Sequence, residues 1–115
     1  MNNQLLNFLT VGAGGAVGAM MRYGLSLLLV GQPLIATMAA NVAGSFLIGL
    51  AMATAQGRLL LFLTVGLCGG FTTFSTFSAQ TLGLIQGGNY LSALGYALLS
   101  VILCLGATYS ALRLT

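Results

Sequence analysis

The residues able to do chemistry in this chain are concentrated in one stretch, Gly69-Gly70-Phe71-Thr72-Thr73-Phe74-Ser75-Thr76-Phe77, where glycines, hydroxyls and aromatic rings interrupt a long apolar run. None of these side chains titrates near neutral pH, so the stretch offers no general acid, base or activated nucleophile. It offers hydroxyl donors, backbone carbonyls and ring edges. The rest of the chain does not supply what is missing, because its 115 residues contain no Asp, Glu or His. Acid–base catalysis, a metal-ligand cluster and a proton relay all lack their parts, which argues against an enzyme. Cys68 and Cys104 fall inside apolar runs without CxxC spacing and read as buried small residues rather than as a disulfide, zinc or redox site.

The elements that must position this stretch are membrane helices. Hydrophobic residues make up 58% of the chain and charged residues 3%, with a mean hydropathy of +1.06. A soluble domain is excluded by that balance. The formal charges are those of Arg22, Arg58 and Arg113, too thinly spread for a nucleic-acid surface. The N-terminus lacks the positive flank of a secretory signal, so its apolar run is expected to remain as a span. Turn chemistry returns at Gly31-Gln32-Pro33, Gln56-Gly57-Arg58 and Gln86-Gly87-Gly88-Asn89. These breaks predict one four-helix transmembrane domain over residues 1–115, with spans at 5–30, 34–55, 59–85 and 90–112. Each is at or above the about 20 residues that cross a bilayer core. So small a bundle has little interior, so oligomerisation is expected. Small-residue pairs Gly14/Gly18, Ala40/Gly44 and Gly66/Gly70 suit helix packing, either across an interface or within one chain.

Two hydroxyl stripes emerge from helical spacing. At about 100° per residue, Thr72, Thr73, Thr76 and Gln80 share one sector of the third span, with Phe74 and Phe77 on an adjacent face. Tyr96, Ser100, Cys104 and Thr108 repeat every fourth residue along the fourth span. Any single hydroxyl could instead bond back to its own helix or join two neighbours. Two aligned stripes plus the membrane-depth amide of Asn41, in a chain without carboxylates, favour a path for an anion. Hydroxyl and amide hydrogens can replace its hydration shell, and a half-helix beginning after Gly70 would point positive partial charge inward.

Three runs carry a family resemblance: the GGFTTFSTF string, Gly14-Gly15-Ala16-Val17-Gly18-Ala19-Met20-Met21-Arg22-Tyr23, and Asn41-Val42-Ala43-Gly44-Ser45-Phe46-Leu47-Ile48-Gly49. Together, in order and across the whole chain, they resemble the Fluc (CrcB) fluoride channels. The resemblance implies a fluoride-selective channel for passive export across the bacterial plasma (inner) membrane. It further implies an antiparallel, dual-topology homodimer of multi-pass subunits in membrane lipid, with a broken third helix. A structural sodium ion on the dimer axis would be held by the backbone carbonyls of Gly69 and Thr72. Phe74 and Phe77 would line the fluoride pathway with Asn41, Ser75, Thr76, Tyr96, Ser100 and Thr108, and Arg22 would face a vestibule. Two departures stand out: Gln80 sits where a Glu is common in the family, and Cys104 where a hydroxyl is expected.

Other readings compete at several positions. Arg22 could snorkel to the interface, Asn41 could bond two helices, Phe74 and Phe77 could be packing residues, and Gly69-Gly70 could be a packing notch. Among whole functions, a small dual-topology multidrug transporter would need a membrane carboxylate, which the chain lacks. A noncatalytic membrane subunit would pack against a partner and carry no ions. Arg58 and Arg113 fall on the N-terminal side of the membrane and Arg22 toward the other, so the orienting bias is small and insertion in both directions is expected.

Overall fold

In hydrocarbon every backbone polar group needs a partner within the protein, and helices supply it locally. The computed structural model describes residues 3–115, and Met1 and Asn2 lie outside that range. Its elements are α1 (Asn3–Leu28), α2 (Pro33–Thr54), α3 (Gly57–Leu61), a π-helical stretch (Phe62–Cys68), α4 (Gly69–Phe71), α5 (Phe74–Gln86) and α6 (Tyr90–Leu114). Four spans are long and apolar enough to cross a membrane: α1, α2, the bent path Gly57–Gln86, and α6. The expected boundaries hold to within a few residues. α1 stops at Leu28 because the Gln32 N–H turns back onto the Leu29 carbonyl at 2.9 Å, and Pro33 then opens α2 where its missing N–H costs nothing. The third span starts at Gly57 rather than 59, since a φ of 62° there swings the chain out of the preceding loop.

α2 packs chiefly on α6, and α1 on the π-helical stretch and α4. The small-residue pairs explain the second contact. A β-carbon at Gly14 would stand 2.7 Å from the Phe62 carbonyl oxygen, one at Gly18 would overlap the Leu67 oxygen, and one at Gly70 the Gly15 oxygen. Gly14/Gly18 and Gly66/Gly70 therefore bring α1 and the third span into backbone contact within one chain. On the other flank Ala40 is 1% exposed, and a β-carbon at Gly44 would strike the Thr72 methyl. The third span is thus gripped from both sides just before its bend.

The bend does not fall at the glycines. Gly69 is helical at φ −60°, ψ −38°, and Gly70 lies within α4. The residues that leave the helix are Thr72 (φ −87°, ψ 158°) and Thr73 (φ −151°, ψ 117°). Gly70 is required for close approach to α1, a demand compatible with helical backbone, whereas β-branched threonines tolerate the extended conformation well. The expected half-helix after Gly70 accordingly begins at Phe74.

Gly18→Ala should cost about 1–3 kcal/mol, since backbone atoms cannot yield to the new methyl. Gly24→Ala, with nothing within 4 Å of its β-carbon, should be neutral or slightly stabilising. Thermal melting of the two variants in detergent checks this, and equal melting temperatures would contradict the packing described.

Candidate functional site

Leaving the helix at Thr72 and Thr73 frees backbone groups that must find new partners. Asn41 on α2 supplies two. Its Oδ1 accepts from the Thr73 N–H at 2.8 Å and its Nδ2 donates to the Thr73 carbonyl at 3.2 Å. The amide acts as a piece of β-ladder for one residue of a membrane helix. The Thr73 hydroxyl then accepts from the Thr76 N–H at 3.2 Å and caps α5, while Arg22 Nε donates to the Gly70 carbonyl at 3.2 Å. In a continuous helix the Thr73 and Thr76 N–H groups would serve the carbonyls of Gly69 and Thr72. Here both donors point elsewhere.

Two cavities meet at this point. One, of about 360 Å³, is lined among others by Asn41, Gly69, Thr72, Thr73, Phe74, Phe77, Ser100 and Cys104. The other, of about 440 Å³, contains Arg22, Tyr23, Thr37, Thr76 and Gln80, and again Thr73. Thr73 is common to both, so the Asn41–Thr73 pair stands where one cavity gives way to the other. Neither contains an anionic side chain, and Arg22 gives the second a positive charge.

Within the first cavity the buried Ser100 hydroxyl has no hydrogen-bond partner among the described residues. Phe74 and Phe77, which line the same cavity, belong to an aromatic ladder. The Phe74 and Phe77 rings lie 5.6 Å apart, and Phe77 and Tyr96 5.2 Å apart, all tilted by about 40° to present edges as well as faces. A polar donor left open in a cavity that aromatic rings also line is an arrangement that a small anion can satisfy.

Comparison with known proteins agrees with the sequence motifs. The family model described as CrcB-like protein, Camphor Resistance (CrcB), matches residues 9–112. The chain belongs to the CrcB family. Similar proteins bearing the name fluoride-specific ion channel FluC include that of Idiomarina loihiensis, 40% identical over 99% of this chain and 95% of the relative. The proteins of Elusimicrobium minutum (47% identical; 88% of this chain, 86% of the relative) and Thermus thermophilus (44%; 93% of each) carry the same name.

In this CrcB chain the predicted residues separate by position. Asn41, Phe74, Phe77 and Ser100 share the first cavity with Gly69 and Thr72. Thr76 and Arg22 belong to the second, and Ser75 is exposed beside it, its hydroxyl 3.3 Å from that of Thr73. Tyr96 and Thr108 line neither cavity: Tyr96 donates to Gln80 Oε1 at 2.6 Å, and Thr108 to the Ser45 carbonyl at 2.8 Å. The third-span stripe is split, because two extended residues destroy the 100° register between Thr72 and Thr76. Cys68 is buried and donates to the Gly44 carbonyl at 3.6 Å, while Cys104 is half-buried at the cavity wall. Thr73 is the residue that motif reading underweighted. A threonine directly ahead of a helical run is a favoured N-cap residue, and that signal would have singled it out.

Asn41→Asp keeps the acceptor for the Thr73 N–H but sets two oxygens against each other where Nδ2 met the Thr73 carbonyl. The variant should lose about 1–3 kcal/mol of stability from the unsatisfied group. Thermal melting beside the wild type checks this; an unchanged transition would show that the amide does not hold the bend.

Proposed function

We propose that this chain is a fluoride-selective channel that lets cytoplasmic fluoride leave the cell passively. The observation that carries the reading is the open, buried Ser100 hydroxyl in a cavity whose lining it shares with Asn41 and Phe77. Fluoride is small and strongly hydrated, so it demands close, numerous donors, which a narrow uncharged track offers and a wide pore does not. The names borne by relatives at 40–47% identity support the same ion. Passive flow suffices for protection, because hydrogen fluoride enters as a neutral acid and ionises at cytoplasmic pH. No chemical transformation is part of this reading.

The working form in this proposal is an antiparallel, dual-topology homodimer in the bacterial inner membrane. One chain leaves its cavity edged by side chains that another surface could cover: Phe74 is 77% exposed and Val101 52%. A second copy would wall that side. The third helix would then count as broken at Thr72–Thr73, with Gly69 and Thr72 of both subunits near the two-fold axis. Their carbonyls, whose helical donors are diverted to Asn41 and Thr73, fit a hard monovalent cation such as sodium. No group of three or more His, Cys, Asp or Glu occurs among the described residues, so backbone oxygen is the donor set to hand. Sodium bound there would join the two subunits electrostatically and would not be transported. Arg22, held on the Gly70 carbonyl, would draw anions into the second cavity.

Purified protein in liposomes tests the proposal. With a counter-ion path supplied, fluoride should escape rapidly and chloride be retained, and Ser100→Ala should slow fluoride by about tenfold, the factor carried by a lost charge-assisted hydrogen bond. Comparable release of both ions, or of neither, would reject the reading.

A further inference from the structure

The second cavity contains a polar side chain whose bonds reach two other spans. Gln80 on α5 donates from Nε2 to the Pro33 carbonyl at 3.2 Å and accepts at Oε1 from the Tyr96 hydroxyl at 2.6 Å. Pro33 is the first residue of α2, and Tyr96 is buried on α6. The amide's orientation is dictated by its partners: a carbonyl has no hydrogen to give, so the nitrogen must face Pro33 and the oxygen Tyr96. Tyrosine has one hydroxyl hydrogen, and here it is spent on Gln80. The Tyr96 ring, meanwhile, supports Phe77 at 5.2 Å. Gln80 thereby fixes both the start of α2, eight residues before Asn41, and the ring behind the first cavity.

We propose that Gln80 is a positioning residue of the fluoride path, clamping α2, α5 and α6 with an amide that stays uncharged at every physiological pH. This rests on the fluoride reading above. The clamp needs a donor toward Pro33 and an acceptor toward Tyr96 at once. A glutamine provides both permanently, whereas a carboxyl provides both only when protonated. The titratable or charged groups around the position are Arg22 and Tyr23 from α1 and Tyr96 from α6; α2 contributes none. With no side-chain carboxylate or imidazole in the chain, transport by the wild type should be flat across the neutral range.

The test is fluoride efflux from liposomes between about pH 5 and 7.5, with leak through protein-free vesicles subtracted, for wild type, Gln80→Glu and Gln80→Met. The wild type should show no pH dependence. Gln80→Glu should be slow where its carboxyl is ionised, by about fivefold for the lost bond to Pro33, and recover toward the wild-type rate as the pH falls. Gln80→Met, similar in bulk but unable to bridge, should be slow at every pH. A merely structural role would not produce rescue by protons in the Glu variant alone. Hydrogen exchange at the amides of Ala36 and Thr37 separates the two levels of failure, since the Met variant should exchange faster there whether or not the protein carries fluoride. Wild-type efflux from Gln80→Met, a flat profile for Gln80→Glu, or unchanged exchange in α2 would overturn the clamp. Absence of fluoride efflux from the wild type, with faster exchange in the Met variant, would instead overturn the ion while leaving the clamp's geometry intact.

Discussion

Everything at the centre of this protein depends on how two residues of backbone are satisfied at membrane depth. An unpaired amide in hydrocarbon costs several kcal/mol in order of magnitude, so a helix cannot simply stop there. Asn41 makes the stop possible by pairing both backbone groups of Thr73, at 2.8 and 3.2 Å. Once that pair forms, the rest follows from donor supply. The Thr73 N–H is withdrawn from the Gly69 carbonyl, the Thr76 N–H goes to the Thr73 hydroxyl, and the Gly70 carbonyl is taken by Arg22. A fault in one helix becomes a small set of oriented polar groups without any net negative charge.

Holding that set in place requires close packing on either side, and the sequence meets it with small residues. Gly18 and Gly70 bring α1 into backbone contact with the third span, and Gly44 accepts the Thr72 methyl from the side of α2. Gln80 adds a polar tie farther along α5. The extended pair is therefore held between α1 and α2, with α6 tied to α5 beyond it, rather than left free to resume helical geometry. Confinement of this kind is what preorganises a site, because the donors need not be ordered when the ion arrives.

Much of this was legible in the sequence. Hydropathy alone locates the four spans, since hydrocarbon thickness leaves few choices of length and the turn residues are few. Asn41 and Ser100 were also identifiable, because a polar amide or hydroxyl within an apolar run has to be accounted for, whereas Phe74 and Phe77 stood out only through the family motif around them. The exact residues that leave the helix were not. Gly69-Gly70 reads as the natural weak point, yet Gly70 is committed to packing and the departure moves to the threonines that Asn41 can reach. That choice depends on a tertiary hydrogen bond 32 residues away in sequence, which no local propensity encodes. For the same reason a stripe drawn on a continuous helix grouped Thr72 with Thr76, although they line different cavities. The fates of Tyr96 and Thr108 were equally hidden: both lie on the right face of α6, but one hydroxyl is spent on Gln80 and the other on Ser45.

The central claim proposed for this member of the CrcB family is that a track of hydroxyl, amide and aromatic groups without carboxylates conducts fluoride. The most direct measurement is the reversal potential of the current through the purified protein in a planar bilayer, with separate gradients of fluoride, chloride and sodium. The account predicts a shift of about 59 mV for each tenfold change in the fluoride ratio, the full value for a monovalent ion carrying all the current, and no response to the chloride or sodium gradients. A reversal potential that follows chloride or sodium would contradict it.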